Sequence, residues 1–166
     1  MTTQVPAAAS PRGTHAMMPT ATESVWWQGA LFTIKGRHET TGGALGLVEA
    51  DFWAGMGTPL HLHHNEDEAF YILDGQIRFR RGDEVFTAGP GAFVFGPRKV
   101  PHCFKVLDGG ARALVLMTPA GLEHMFLDGG LPVVDPTNPP PRNYDLDRVK
   151  ELARRYGFDI VGPPLE

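Results

Sequence analysis

The chain has 166 residues, of which 42% are hydrophobic, and its 15 Lys and Arg against 19 Asp and Glu leave a net charge of −4. This length is sufficient for one domain with a sizeable core. Phosphate binding needs a concentrated basic surface, and no run of Lys and Arg stands out in the sequence. We therefore expect no nucleic-acid partner.

Membrane insertion and secretion are not expected either. No stretch approaches the roughly 18 consecutive apolar residues of a membrane-spanning helix, and the first residues lack the basic segment and apolar core of a secretory signal. A single cysteine, Cys103, cannot form an internal disulfide and is compatible with a reducing compartment. We therefore predict a cytoplasmic protein with no membrane partner.

The first 22 residues are rich in Ala, Thr, Ser and Pro and have almost no large apolar groups. Such a segment buries too little surface to offset its ordering entropy. We predict that residues 1–22 form a tail, disordered or docked on a neighbouring subunit.

From Val25 onwards, short aromatic and β-branched runs alternate with turn signals. The 20 Gly and 15 Pro of the chain contribute most of these signals. Short strands at regular spacing are typical of an all-β sandwich or barrel. We predict tight turns at Asp74-Gly75 and at residues 108–110, each separating two strands.

Two helices are predicted after the last strands. Leu122, Met125 and Phe126 have the spacing of a short amphipathic helix. After a Pro-rich linker, a second helix is expected from Asp145, as N-cap, to Tyr156, packed outside the barrel. We therefore expect a barrel over residues 23–131, followed by a linker and C-terminal helix over residues 132–166.

The stretch from Gly55 to Gly75 carries the candidate chemistry. Successive side chains of a strand point to opposite faces, so His61 and His63 face one way and His64 faces the other. Glu68 follows shortly, so this stretch offers three potential metal ligands. Imidazole and carboxylate together suit divalent first-row metals.

The spacing of these residues resembles the two sequence motifs of the cupin superfamily. Gly55, His61, His63, Glu68 and Gly75 match the first motif at every position. In the second stretch three residues match and two depart from the motif: Gly91, Pro97 and His102 fit, whereas Lys99 replaces a glycine and Val106 replaces an asparagine. The resemblance implies a cupin jelly-roll β-barrel.

The same resemblance implies one divalent transition metal, Ni, Mn, Fe, Co or Cu, with Zn also possible. Its ligands would be the two histidines and the glutamate of the first motif and the histidine of the second: His61, His63, Glu68 and His102. The absence of a thiolate from this set argues against a structural zinc site and favours a redox or Lewis-acid role.

Strand parity predicts the walls around this metal. If Glu68 faces the interior of the barrel, Phe70 and Ile72 on the same strand face it as well. If His102 faces the interior, Phe104 and Val106 do so too. These side chains would form an apolar, partly aromatic substrate pocket for a planar organic molecule.

Three further polar residues lie close to the candidate ligands in the sequence. We expect Glu66 and Asp67 to be solvated loop acids, with Glu66 an alternative ligand. His64 should lie on the outer face or contact a ligand from outside the metal.

Three stretches, residues 59–79, 96–104 and 153–164, further resemble bacterial single-domain cupins of the quercetin 2,3-dioxygenase kind. This resemblance covers roughly residues 23 to 164. The resemblance implies a small-molecule substrate and dioxygen as partners, with a homodimer as the expected assembly. In such enzymes the glutamate, here Glu68, is both ligand and catalytic base. It deprotonates the flavonol hydroxyl before dioxygen adds and the ring opens with loss of carbon monoxide.

We therefore predict a metal-dependent dioxygenase for a flavonol-like or other enolisable aromatic molecule. Two alternatives remain open. One is a non-oxidative, metal-dependent cyclase or isomerase of polyketide-type intermediates, in which the metal only polarises a carbonyl. The other is a small-molecule-binding cupin without turnover.

Overall fold

The computed structural model describes residues 23–142 and 145–166, so the tail predicted at residues 1–22 lies outside the described residues. The described residues form ten strands, namely β1 (Glu23–Trp27), β2 (Ala30–Gly36), β3 (Gly46–Phe52), β4 (Pro59–His63), β5 (Asp67–Arg81), β6 (Glu84–Ala88), β7 (Phe93–Gly96), β8 (His102–Thr118), β9 (Leu131–Pro132) and β10 (Phe158–Pro164). They also form three helices, α1 (His38–Thr41), α2 (Glu123–Gly129) and α3 (Leu146–Tyr156). None of the helices in these ranges has the length and apolar character needed to cross a membrane.

The strands form one curled sheet around an apolar core. Hydrogen-bonded neighbours follow the order β10, β4, β8, β3, β2, β1, β9, and β5 joins this path by pairing with β6, β7 and β8. Alternate side chains of β3 and β8, such as Val48, Ala50, Val115 and Met117, are almost fully buried because they all face the interior. The predicted all-β jelly-roll barrel is confirmed.

The two predicted tight turns are bends inside long strands instead. Asp74-Gly75 lies within β5, and residues 108–110 lie within β8. These two strands pair with each other from end to end. Their ladder skips Leu73 and Gln76 on β5 and residues 107–110 on β8. Gly75 and Gly110 have φ of 75° and 82°, which allows the paired strands to bend and curl into a barrel.

Both predicted helices are confirmed, with small changes at their ends. α2 buries Met125 and Phe126 against the barrel. At the start of α3 the side chain of Asp145 accepts a hydrogen bond of 2.9 Å from the backbone N–H of Arg148. Gly157, with φ of 72°, ends the helix in the left-handed conformation.

The last strand, β10, is absent from the sequence-based prediction. Its end, Gly162-Pro163-Pro164, has a composition that strands normally avoid. It nevertheless pairs with β4, where Phe158 lies opposite His63 and Ile160 opposite His61. The C-terminal segment therefore forms part of the sheet beside the strand that carries both histidines.

Lys99, which replaces a motif glycine, adopts the backbone conformation that glycine would favour, with φ of 65°. Its backbone N–H donates a 2.7 Å hydrogen bond to the carbonyl of His63, so the turn is held in place despite the strain. We expect Lys99→Gly to raise the free energy of unfolding by about 0.5–1 kcal/mol, because relief of left-handed strain exceeds the added chain entropy.

Urea denaturation followed by circular dichroism measures this effect. Lys150→Gly, on the solvent-facing side of α3, is the control, and we expect it to cost about 1 kcal/mol. A loss of stability in Lys99→Gly would contradict the interpretation of this turn.

Candidate metal centre

Four buried polar side chains converge inside the barrel. β4 turns His61 and His63 to the interior, His102 at the start of β8 lies opposite His61 in the ladder, and Glu68 lies near the start of β5. One nitrogen or oxygen atom from each lies within 4.8 Å of those from the others. All four side chains are less than 10% exposed. The structure thus brings together the four residues predicted as ligands.

Backbone carbonyls orient two of the three imidazoles. Nδ1 of His61 lies 2.8 Å from the carbonyl of Pro59, and Nδ1 of His102 lies 2.9 Å from the carbonyl of Val100. Because a carbonyl can only accept a hydrogen bond, each Nδ1 carries the proton and donates it. Nε2 of each ring is therefore directed away from the backbone and towards the cluster, as in histidines that bind metals.

His63 has no such backbone partner. Both of its ring nitrogens are buried without a hydrogen bond among the described residues. Its Nε2 lies 3.7 Å from Oε2 of Glu68, beyond hydrogen-bond distance. Buried polar atoms are rarely left unpaired in folded proteins, and a metal ion is a partner that suits an imidazole nitrogen facing a carboxylate.

Burial and mutual contacts set the charges of the clustered side chains. Burial lowers the pKa of His61 to about 3, and the neighbouring His102 and His63 contribute to this shift, so His61 is neutral. Burial alone would raise the pKa of Glu68, but the hydrogen bond from His102 and the proximity of His63 outweigh it and keep the carboxyl ionised. Burial would lower the pKa of His102, yet its 3.2 Å hydrogen bond with Glu68 raises it. Three imidazoles around an anionic carboxylate fit a divalent first-row metal.

An apolar cavity of about 80 Å³ adjoins the cluster. Phe70 and Phe104 line it, as predicted, whereas Ile72 and Val106 do not. Both belong to the packed core, four residues along their strands from Glu68 and His102, which corresponds to about 13 Å. The rings of Phe70 and Phe104, with centroids 5.5 Å apart, lie between those levels. The pocket prediction therefore needs correction for Ile72 and Val106.

Most other walls of the cavity come from elements that the sequence analysis did not assign to the site. They include aromatic side chains of β1, β2 and β3, Leu122 immediately before α2, and apolar side chains of α2, α3 and β10: Trp27, Phe32, Phe52, Met125, Phe126, Val149 and Phe158. The amphipathic spacing in α2 predicted that one face of the helix is buried, but not that this face lines the cavity. Phe158 packs against His61 and His63 at 6.1 and 5.7 Å between ring centroids. The C-terminal segment therefore covers the candidate metal centre.

Glu66 is not the solvated loop acid that was predicted. It is only 7% exposed, and its Oε2 has no hydrogen-bond partner among the described residues. Burial raises the pKa of Glu66, although the nearby His63 acts against this shift. Its carboxylate does not belong to the four-residue cluster, so the structure gives no support to Glu66 as an alternative ligand.

Asp67 and His64, which lie next to the clustered residues in the sequence, form polar contacts on the outside of the barrel. Asp67 forms an ion pair with Arg98 at 2.8 Å. His64 is exposed, and its Nε2 lies 2.9 Å from Oδ2 of Asp159 on β10. The outward orientation that strand parity predicted for His64 is thus observed.

One buried carboxylate outside the cluster has a structural role that the sequence analysis missed. Glu123 is fully buried and accepts hydrogen bonds from the backbone N–H groups of His38, at 2.7 Å, and Gly121, at 2.6 Å. These bonds tie the start of α2 to the connection between β2 and β3.

Comparison with known families finds a match over the part of the chain that carries the cluster. The family profile described as "Cupin domain" matches residues 48–119, a range that includes all four clustered residues. The chain contains a cupin domain. Among solved structures, this cupin superposes on KdgF from Halomonas sp. with a TM-score of 0.59 and 17% identity, over 68% of this chain and 99% of KdgF. An RmlC-like cupin from Shewanella frigidimarina NCIMB 400 gives a TM-score of 0.58 and 18% identity, over 68% of this chain and 96% of that one.

One relative found by sequence similarity is an enzyme. Quercetin 2,3-dioxygenase from Bacillus subtilis (strain 168) is 21% identical over 129 residues, which is 78% of this cupin. The matched region amounts to 38% of the length of that enzyme. The likeness therefore concerns one part of a longer protein.

Proposed function

We propose that this cupin is a metal-dependent dioxygenase for an enolisable small molecule. The observation that carries the proposal is the buried cluster of His61, His63, Glu68 and His102 beside an apolar cavity. A cluster of this composition, with no thiolate, suits a reactive metal better than a structural one. The similarity to quercetin 2,3-dioxygenase favours oxygenation over other metal-dependent reactions.

The four clustered side chains would hold the metal. When bound, the metal would polarise the substrate's enol oxygen and supply the site at which oxygen chemistry takes place. Among the described residues that line the cavity, Glu68 is the only acid. Its carboxylate is held ionised by its neighbours and would accept the substrate's hydroxyl proton.

The rest of the cavity excludes water and limits the size of the substrate. Its aromatic and aliphatic walls offer few groups that could hydrogen-bond to water. A protein cavity of about 150 Å³ accommodates benzene, so the cavity of about 80 Å³ would enclose only part of a substrate. A short enolisable dicarbonyl compound therefore fits better than a flavonol, which would require α2, α3 or β10 to move outwards.

Oxygen uptake tests this proposal. We would measure it with protein reconstituted separately with Ni, Mn, Fe, Co and Cu, using 2,4-pentanedione as the small substrate and quercetin as the large one. We expect metal-dependent uptake that a chelator abolishes, with the small compound preferred. Glu68→Gln should lower the rate by about a hundredfold or more, because the base is lost, and His64→Ala, on the outer face, should leave it unchanged.

Other outcomes would reassign the function. Conversion of either compound without oxygen consumption would indicate the non-oxidative cyclase or isomerase. Metal binding with no conversion of any enolisable compound would leave a binding protein.

A further inference from the structure

A second cavity lies on the outside of the barrel, behind the wall of the first. Its volume is about 540 Å³, within the range of roughly 300–1,000 Å³ that small-molecule sites occupy. The segment from Gly55 to Pro59 forms one side, and the end of β10 with the following Leu165 forms the other. This cavity has no part in the candidate metal centre, and the resemblance to other cupins implies no role for it.

The cavity is separate from the candidate metal centre. Only Gln28 and Pro59 line both cavities. Met56 and Thr58 face the inner one, whereas the alternate residues Gly55 and Gly57 face the outer one. The chain between the two cavities is therefore a shared wall, and no clustered histidine or carboxylate reaches the outer cavity.

Two cations line the outer cavity without an acidic partner. Neither Lys105 nor Arg142 forms an ion pair with any residue in the described ranges, although Glu166 follows Leu165 at the rim. The residues outside those ranges, 1–22 and 143–144, contain no Asp or Glu. No acidic side chain of the undescribed residues is therefore available to neutralise this pair.

Arg142 is held in a position suited to ligand binding. Its guanidinium lies 4.4 Å from the centroid of the Trp53 ring, and its Cγ lies 3.0 Å from the point where a Cβ on Gly29 would be. Stacking on an aromatic face leaves the N–H edge of a guanidinium free to donate in a fork that matches a carboxylate. Glycine at position 29 leaves room for this arrangement.

Apart from Gln28, the remaining side chains of the wall are apolar. Trp53, Leu146, Ile160, Pro163 and Leu165 surround the space next to the two cations. A ligand that satisfies both features has an anionic head group and a short hydrocarbon or aromatic body.

We infer that the outer cavity binds a small amphipathic carboxylate, with the carboxylate between Lys105 and Arg142 and the apolar body against Trp53 and β10. This inference does not depend on the proposed oxygenase activity, because it involves neither the clustered residues nor the inner cavity.

Isothermal titration calorimetry of the full chain tests the inference with three probes. These are 4-phenylbutyrate, its uncharged analogue 4-phenylbutyramide, and inorganic phosphate, which has charge but no apolar body. We expect 4-phenylbutyrate to bind about tenfold or more tightly than the other two. Arg142→Gln and Lys105→Gln should each weaken that binding by about tenfold, because a charge-assisted hydrogen bond is lost.

Matched variants distinguish binding in the outer cavity from binding elsewhere on the chain. Arg142→Lys should retain most of the binding, and Lys150→Gln, a cation on the outside of α3, should retain all of it. His102→Ala should also bind 4-phenylbutyrate normally. Equal affinity for acid and amide, no binding of either, or equal loss in Lys150→Gln would overturn the inference. Loss of binding in His102→Ala would do so as well, because the acid would then occupy the metal centre.

Discussion

His102→Ala is expected to reduce bound metal from about one ion per chain to a trace. His102 supplies one of four clustered donors, and its Nε2 lies 3.2 Å from Oε2 of Glu68. Loss of a residue that merely supports a metal ligand typically costs 10- to 100-fold in affinity, so loss of a ligand itself should cost more than about a hundredfold. Mass spectrometry of metal content, on untagged protein prepared without chelator, measures the effect.

His64→Ala is the matched control. It lies next to His63 in the chain but faces outwards and contacts Asp159. We expect it to retain a full complement of metal. His61→Ala should behave like His102→Ala, and circular dichroism would show that both variants fold. Full metal content in either folded ligand variant would refute the assignment of the centre.

Gly75→Ala is expected to destabilise the barrel severely. Gly75 has φ of 75°, and an added Cβ would collide with the carbonyl of Gly110 and lie 2.7 Å from Cα of Ala111. Left-handed strain costs about 1–2 kcal/mol for a residue with a side chain, and overpacking typically costs about 1–3 kcal/mol more. We therefore expect a loss of about 3 kcal/mol or more, which is a large fraction of the stability of an ordinary domain.

Gly82→Ala separates the two causes. Gly82 also has positive φ, of 58°, but no atom lies within 4 Å of the position of its Cβ. This variant should lose only the strain term, about 1–2 kcal/mol. Urea denaturation of both variants measures the difference. Equal losses would show that backbone strain alone, and not the contact between the bent strands, explains the need for glycine at position 75.

The local pattern of the candidate site is predictable from the sequence. The alternation of His61 and His63, with His64 opposite, follows from the two-residue period of a strand. Similarity to a family pattern then added His102. His102 is 34 residues from Glu68 in the sequence, yet its Nε2 lies 3.2 Å from Oε2 of Glu68. Nothing in the local sequence specifies that contact, because it arises from pairing in the sheet.

The predictions that the structure corrects were wrong because they, too, depend on contacts between distant segments. Asp74-Gly75 has the composition of a tight hairpin turn, yet pairing with β8 continues on both sides of it and converts the turn into a bend. Glu66 has the polarity of a loop residue, but the packing around it leaves it only 7% exposed. Phe158 follows a helix-ending glycine and is placed over the histidines only because β10 pairs with β4.

The sequence by itself determined the all-β class, the two helices with Asp145 and Gly157 at the ends of the second, and the residue types available to hold a metal. These features depend on side-chain period, capping and composition within a few residues. Only the tertiary structure decided that the inner cavity measures about 80 Å³, that β10 covers it, and that Lys105 and Arg142 share an outer cavity. Such features depend on contacts between distant segments, and those contacts form only when the whole sheet closes around its core.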